Sequence, residues 1–211
     1  MKGNLLRIFI SVFICLNAGI IFAQNVDDYR SKASGNWHDP SIWEKYNGST
    51  WESAIEYPTQ ASGTITIRSG HTVTLYSPVI IDQTVVEPGG SLILSGSTLT
   101  INDGTDIDLE IYGNLQHNSG SSIAGSGQVR INSGSSTMDW NGGTINSLNL
   151  TVNGILNIAT TNEKNLNNAT ITNSGTINWY GGNIRGGNST FSNSGYNSQF
   201  NIQCNASFEA T

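Results

Sequence analysis

The chain has 211 residues, only 11% of them charged, and a formal net charge of −6. Beyond position 68 the basic residues are Arg130, Lys164 and Arg185 alone, so no basic patch can follow a phosphate backbone, and this excludes nucleic-acid binding. Few charges could signal disorder, but the regular placing of Val, Ile and Leu among Gly, Ser, Thr and Asn points to a β-rich protein with many tight turns.

The first segment reads as an export signal over residues 1–23. Lys2 and Arg7 form its positive end, Leu5 to Phe22 is largely apolar, and Ala23 offers a small residue for cleavage. The expected product starts at Gln24, is secreted or held at the cell surface, and has no membrane span once the signal is removed. Cleavage leaves seven basic residues against fifteen acidic ones, a net charge of −8. Cys204 is then the single cysteine, so no internal disulfide forms, and it reads as a small buried apolar group.

Residues 24–62 follow no repeat and are crowded with Trp37, Trp43, Trp51, Tyr46 and Tyr57. A solenoid has to cover its first coil, because an open end exposes apolar core and strand edges. The structural expectation is therefore an N-terminal aromatic cap. The functional alternative is a sugar-stacking surface with Trp37, Trp43 and Trp51 as the stacking candidates, since aromatic faces also bind the apolar faces of sugars.

From residue 63 to 211 a repeat takes over. Gly70, Gly90, Gly113, Gly134, Gly154, Gly175 and Gly195 are separated by 20, 23, 21, 20, 21 and 20 residues. Alternating strands flank them: Ile65 and Ile67, Leu109 and Ile111, or Val129 and Ile131 before the glycine; Leu92 and Leu94, Leu156 and Ile158, or Ile177 and Trp179 after it. Trp140-Asn141-Gly142-Gly143-Thr144-Ile145 recurs as Trp179-Tyr180-Gly181-Gly182-Asn183-Ile184, two repeats later. Asn-Ser-Gly at 132–134, 173–175 and 193–195 suggests a stacked turn with positive φ, its asparagines hydrogen-bonded along the axis. Between Gly90 and Gly113 three short alternating strands can be counted, which implies three faces per coil. The predicted fold is all-β, a right-handed parallel β-helix of about seven rungs; a sandwich or propeller is the competing arrangement. Seven coils at ~4.8 Å would make a rod roughly 34 Å long. The end near Ser207-Phe208-Glu209-Ala210-Thr211 shows no evident cap, so the natural chain is expected to continue, with downstream domains of the same polypeptide as partners.

Trp37-His38-Asp39-Pro40-Ser41-Ile42-Trp43, Gly63-Thr64-Ile65-Thr66-Ile67, Gly70-His71-Thr72-Val73-Thr74-Leu75 and Gly89-Gly90-Ser91-Leu92 resemble the start of large secreted bacterial β-helix proteins. The same stretch, about residues 34 to 95, resembles more loosely the eight-glycine domain of extracellular proteins linked to polysaccharide binding or processing. The resemblance implies an extracellular surface role and supplies no catalytic motif.

Candidate chemistry centres on the longest interval, where Asn102, Asp103, Asp106, Asp108 and Glu110 lie close together. Asp103, Asp106 and Asp108 are the candidate metal ligands, for calcium, a hard ion that takes six to eight oxygens. The competing reading is a solvated face, because Asp108 and Glu110 alternate with Ile107, Leu109 and Ile111 and so point outward. Arg130, one repeat further on, makes either a catalytic groove with them or an exposed ion pair. His38, His71 and His117 are too scattered for a zinc site. The expected function is an extracellular or cell-surface module, adhesive, scaffolding or glycan-binding, within a larger secreted protein. The alternative is a carbohydrate-active enzyme, a polysaccharide lyase or glycoside hydrolase, or its N-terminal portion.

Overall fold

The computed structural model of the chain describes residues 24–210, so the export signal read at residues 1–23 lies outside the described residues. Alternation of apolar and polar residues makes each short strand two-sided, with one face inside and one outside. Seven consecutive coils of three such strands stack in parallel, beginning with Ile65–Ile67, Thr72–Leu75 and Val79–Ile81 and ending with Thr190–Asn193, Gln199–Ile202 and Phe208–Ala210. The strands assemble into three sheets, here called the first, second and third in the order the chain meets them. The architecture is thus a parallel β-solenoid, and no α-helix occurs among the described residues. No described helix is long and apolar enough to cross a membrane.

The inward positions form continuous ladders. In the second sheet Val73, Leu92, Leu115, Met138, Leu156, Ile177 and Phe200 are in register. Beside them run Leu75, Leu94, His117, Trp140, Ile158 and Trp179, with Ile202 in register in the last coil but exposed. The repeated tryptophan motif therefore places Trp140 and Trp179 in one ladder, two coils apart, with Ile158 between them. Each fully buried aliphatic side chain contributes about 1.5–3 kcal/mol, so stability builds from neighbour to neighbour along the rod.

The corners follow from close stacking. A Cβ at Gly113 would run into the carbonyl oxygens of Gly90 and Glu87, which explains glycine there without any unusual φ. In the Asn-Ser-Gly turns only Gly134 has positive φ, at 93°, so that conformation is not repeated from coil to coil there. A positive-φ position does repeat between the third and first sheets, where Ser147, Asn168 and Asn188 adopt φ of 56°, 49° and 52°. The asparagine stacking expected in Asn-Ser-Gly is present between coils six and seven, where Asn173 Nδ2 donates to Asn193 Oδ1 at 2.8 Å.

Among the buried polar side chains, Lys164 and His117 are both fully enclosed. Lys164 donates from Nζ to the carbonyls of Thr160 (2.8 Å), Asn162 (2.7 Å) and Gly181 (3.0 Å), and ties two successive turns together. Burial lowers its pKa to about 8. His117 is fully buried; its Nε2 lies 3.1 Å from the Ser121 carbonyl, and burial lowers its pKa to about 4. Cys204, expected to be buried, is half-buried against the edge of the core.

The two ends differ. At the start, Tyr29–Ser31 adds in parallel to Ile65–Ile67, and Gly35–Asn36 adds to the second sheet against Val73 and Thr74. The chain then turns through Pro40–Ile42 and returns as Trp43–Tyr46, antiparallel to Tyr29–Ser31, followed by Trp51–Ser53. The capping segment thus begins as a partial coil that the sequence repeat does not reveal. At the far end, Phe191, Phe200 and Phe208 come one from each sheet, and Phe191 meets the other two in T-shaped pairs with centroids 5.8 and 5.6 Å apart.

Candidate functional site

Trp37 and Trp43 are completely buried, so neither offers a face to a sugar. Their rings meet edge to face at 5.1 Å, and Trp43 Nε1 donates to the Trp37 carbonyl at 2.8 Å. Both act as cap. Trp51 is half-buried on the outermost strand of the first sheet, with the Arg30 guanidinium 4.2 Å from its ring centre and Tyr46 at 5.2 Å. Arg30 in turn donates to Glu44 at 2.7 Å, which holds it over the ring.

The acidic insertion is the corner loop 102–108 between the third and first sheets. Asp103 and Asp106 are exposed, but Asp108 is fully buried, which corrects the outward placement read from alternation. The reason is local: the strand begins only at Leu109, and Asp108 closes the loop in front of it. Its Oδ1 accepts the Gly104 N–H at 2.8 Å and its Oδ2 the Gln128 N–H at 2.6 Å. Both oxygens are engaged by backbone, and the structure does not bring the three aspartates together as ligands. Among the described residues no group of three His, Cys, Asp or Glu side chains is arranged to hold a metal ion. Glu110 and Arg130 stand opposite each other on neighbouring coils and form an ion pair.

A surface concavity lies where the cap meets the third sheet. The cap extends the first and second sheets by added strands, whereas Val79–Ile81 remains the outermost strand of the third. The loop after the cap reaches this edge because Trp37 Nε1 donates to the Pro58 carbonyl at 2.9 Å and the Gln60 N–H donates to the Ile80 carbonyl at 2.8 Å. Tyr57 packs against His38 at 4.4 Å, and His38 Nε2 donates to the Pro78 carbonyl at 3.2 Å. The result is an open cleft of about 480 Å³ lined by Tyr57, Thr59, Gln60, Pro78, Ile80 and Thr100 among others. Ile80 is 42% exposed on its floor, and Asn102 Nδ2 donates to the Gln60 side-chain oxygen at its margin. No lining side chain is charged. Tyr57 was legible in the sequence only as one of the crowded cap aromatics; that it is partly buried at the cleft while Trp37 is fully buried depends on how the loop returns.

The outer faces are built of amides and hydroxyls. On the second sheet Asn201 donates to Asn178 (3.0 Å), Asn178 to Asn157 (3.1 Å), and Asn157 to Asp139 (2.8 Å), a hydrogen-bonded ladder spanning coils four to seven. On the first sheet Thr151, Thr172 and Ser192 align, as do Asn149, Thr170 and Thr190. Comparison with family models, curated proteins and solved structures finds no match to the chain in any of the three.

Proposed function

We propose that the protein is a non-catalytic extracellular or cell-surface module, a rigid rod that holds glycan or another surface polymer and serves adhesion or scaffolding. The observation that carries this reading is the amide ladder from Asp139 to Asn201. Side chains that already hold one another lose little rotamer freedom on binding, so a regular face of amides, with the Asp139 carboxylate at one end, is preorganised for contact with a polymer. The export pattern at the N-terminus supports an external site of action, as does the likeness of residues 34–95 to the start of secreted bacterial β-helix proteins. The acidic insertion lends no support to an enzyme, since Asp108 is committed to backbone and Glu110 to Arg130.

The test has two arms: digestion of intact producing cells with an impermeant protease, and co-sedimentation of the purified full chain with insoluble polysaccharides and cell-wall material. Cleavage of the protein on intact cells, or its presence in the medium, together with saturable retention by at least one polymer supports the reading. A chain protected inside cells and retained by none of these materials overturns it.

A further inference from the structure

We infer that the cleft between Tyr57 and Ile80 is the binding site for a neutral sugar chain; the inference rests on the surface-binding reading above and names its ligand class. Three observations converge on it.

The first is the mixture of surfaces. The exposed Ile80 side chain and the part of Tyr57 left uncovered by His38 provide apolar area, while Thr59, Gln60 and Thr100 surround it with hydroxyl and amide groups. A pyranose presents the same mixture, an apolar face of C–H groups edged by hydroxyls, and aromatic rings bind that face. Small-ligand sites share this pattern of apolar walls and a few placed polar groups.

The second is charge. The lining is uncharged, and the residues that flank it in sequence, Glu56, Asp82 and Asp103, are all acidic. The chain as a whole is negative. Acidic polymers such as uronates are repelled here, and with no charged side chain in the lining to pair with a charged group the site suits a neutral occupant.

The third separates a sugar from a peptide. Val79–Ile81 is an outermost strand, the usual place for an added peptide strand. Strand addition needs a run of free backbone N–H and C=O groups. The Ile81 carbonyl already accepts from the Asn102 N–H, and the carbonyl of Ile80 accepts from Gln60 at 2.8 Å. The return loop therefore occupies the outward carbonyl of this three-residue edge and leaves side chains, not backbone, to meet a ligand. Trp37 is a positioning residue for the site, because its bond to Pro58 sets the loop that carries Tyr57 and Gln60.

The experiment measures binding of the full chain to soluble neutral oligosaccharides (cello-, xylo- and manno-series) and to oligogalacturonate as the acidic comparator. It is repeated for Tyr57→Ala, Ile80→Glu and, as a control on a distant coil, Tyr180→Ala. Ile80→Glu places a charge on an exposed position and keeps the fold intact even if Tyr57→Ala loosens the loop. The expected result is binding of at least one neutral series and none of the acidic one. Both cleft variants should then bind roughly tenfold more weakly, the loss of one aromatic or apolar contact, and the control should be unchanged. Neutral binding that survives both cleft variants overturns this site while leaving the surface-binding reading in place. Equal or stronger binding of oligogalacturonate overturns the ligand class. Absence of binding to every oligosaccharide, with polymer retention also absent, overturns both readings together.

Discussion

The His117 imidazole lies parallel to the Trp140 indole one coil further along, with ring centres 6.3 Å apart and planes within 5°. Both belong to an inward ladder that is otherwise aliphatic or aromatic, so the imidazole must stay neutral to remain there. Its folded-state pKa of about 4 lies below the ordinary value of 6.5 because burial disfavours the cation. The unfolded chain takes up a proton below pH 6.5 and the folded one does not. The stabilisation is therefore complete above pH 6.5 and is lost as the pH falls toward 4, by roughly 2 kcal/mol at pH 5. Urea unfolding at pH 7.5 and 5.0 should show this loss in the natural chain and a much smaller one in His117→Phe. Equal losses in both would remove His117 as the cause.

Trp43→Ala should destabilise the start of the rod by about 3–5 kcal/mol, the range for deleting a large buried aromatic side chain. Coils in a solenoid touch only their neighbours, so the damage should be local. Hydrogen exchange should rise at Tyr29–Ser31 and in the first coil, with the coils from Thr137 onward keeping their protection. Uniform loss of protection along the chain would contradict the nearest-neighbour account.

Asp108→Ala should cost about 1–3 kcal/mol, because the Gly104 and Gln128 N–H groups lose the buried carboxylate that accepts from both. Asp103→Ala, at an exposed position, should change stability by less than about 0.5 kcal/mol. Added calcium or chelator should leave the thermal midpoint of the natural chain where it is. A midpoint raised by calcium and insensitive to it in Asp103→Ala would restore the metal-site reading.

Lys164→Met should be destabilising despite the similar volume and apolar character of the replacement. Three carbonyl oxygens would lose their shared donor, at about 1–3 kcal/mol for each buried group left without a partner. Chemical denaturation of the variant measures this directly; a neutral or stabilising effect would mean that water replaces the ammonium.

Gly113→Ala should cost more than Gly70→Ala. The added methyl at 113 meets backbone oxygens that cannot move without shifting the coil above, whereas at Gly70 nothing lies within 4 Å and only the φ of 79° is strained. Comparison of their thermal midpoints tests whether close stacking or φ governs the corner glycines.

The coils were legible in the sequence because each repeat meets the same physical demand. Val73, Leu92, Leu115 and their successors recur since every coil must fill the same inward position, and a similar chain path around each coil keeps the spacing near twenty residues. The same regularity makes the two-coil relation of Trp140 and Trp179 visible in the repeated tryptophan motif. Where the chain leaves the repeat, periodicity is silent. Which of Trp37, Trp43, Trp51 and Tyr57 turns inward depends on Trp43–Tyr46 folding back across Tyr29–Ser31, a contact between segments with no shared pattern. Asp108 reads as outward by alternation, yet the strand starts one residue later and the loop in front of it recruits the carboxylate. The cleft beside Ile80 is likewise a product of tertiary structure, formed where the segment Tyr57 to Ala61 returns across an outermost strand far from it in sequence. Local pattern determines the rod because its contacts repeat; the cap, the buried carboxylate and the cleft come from contacts made only once.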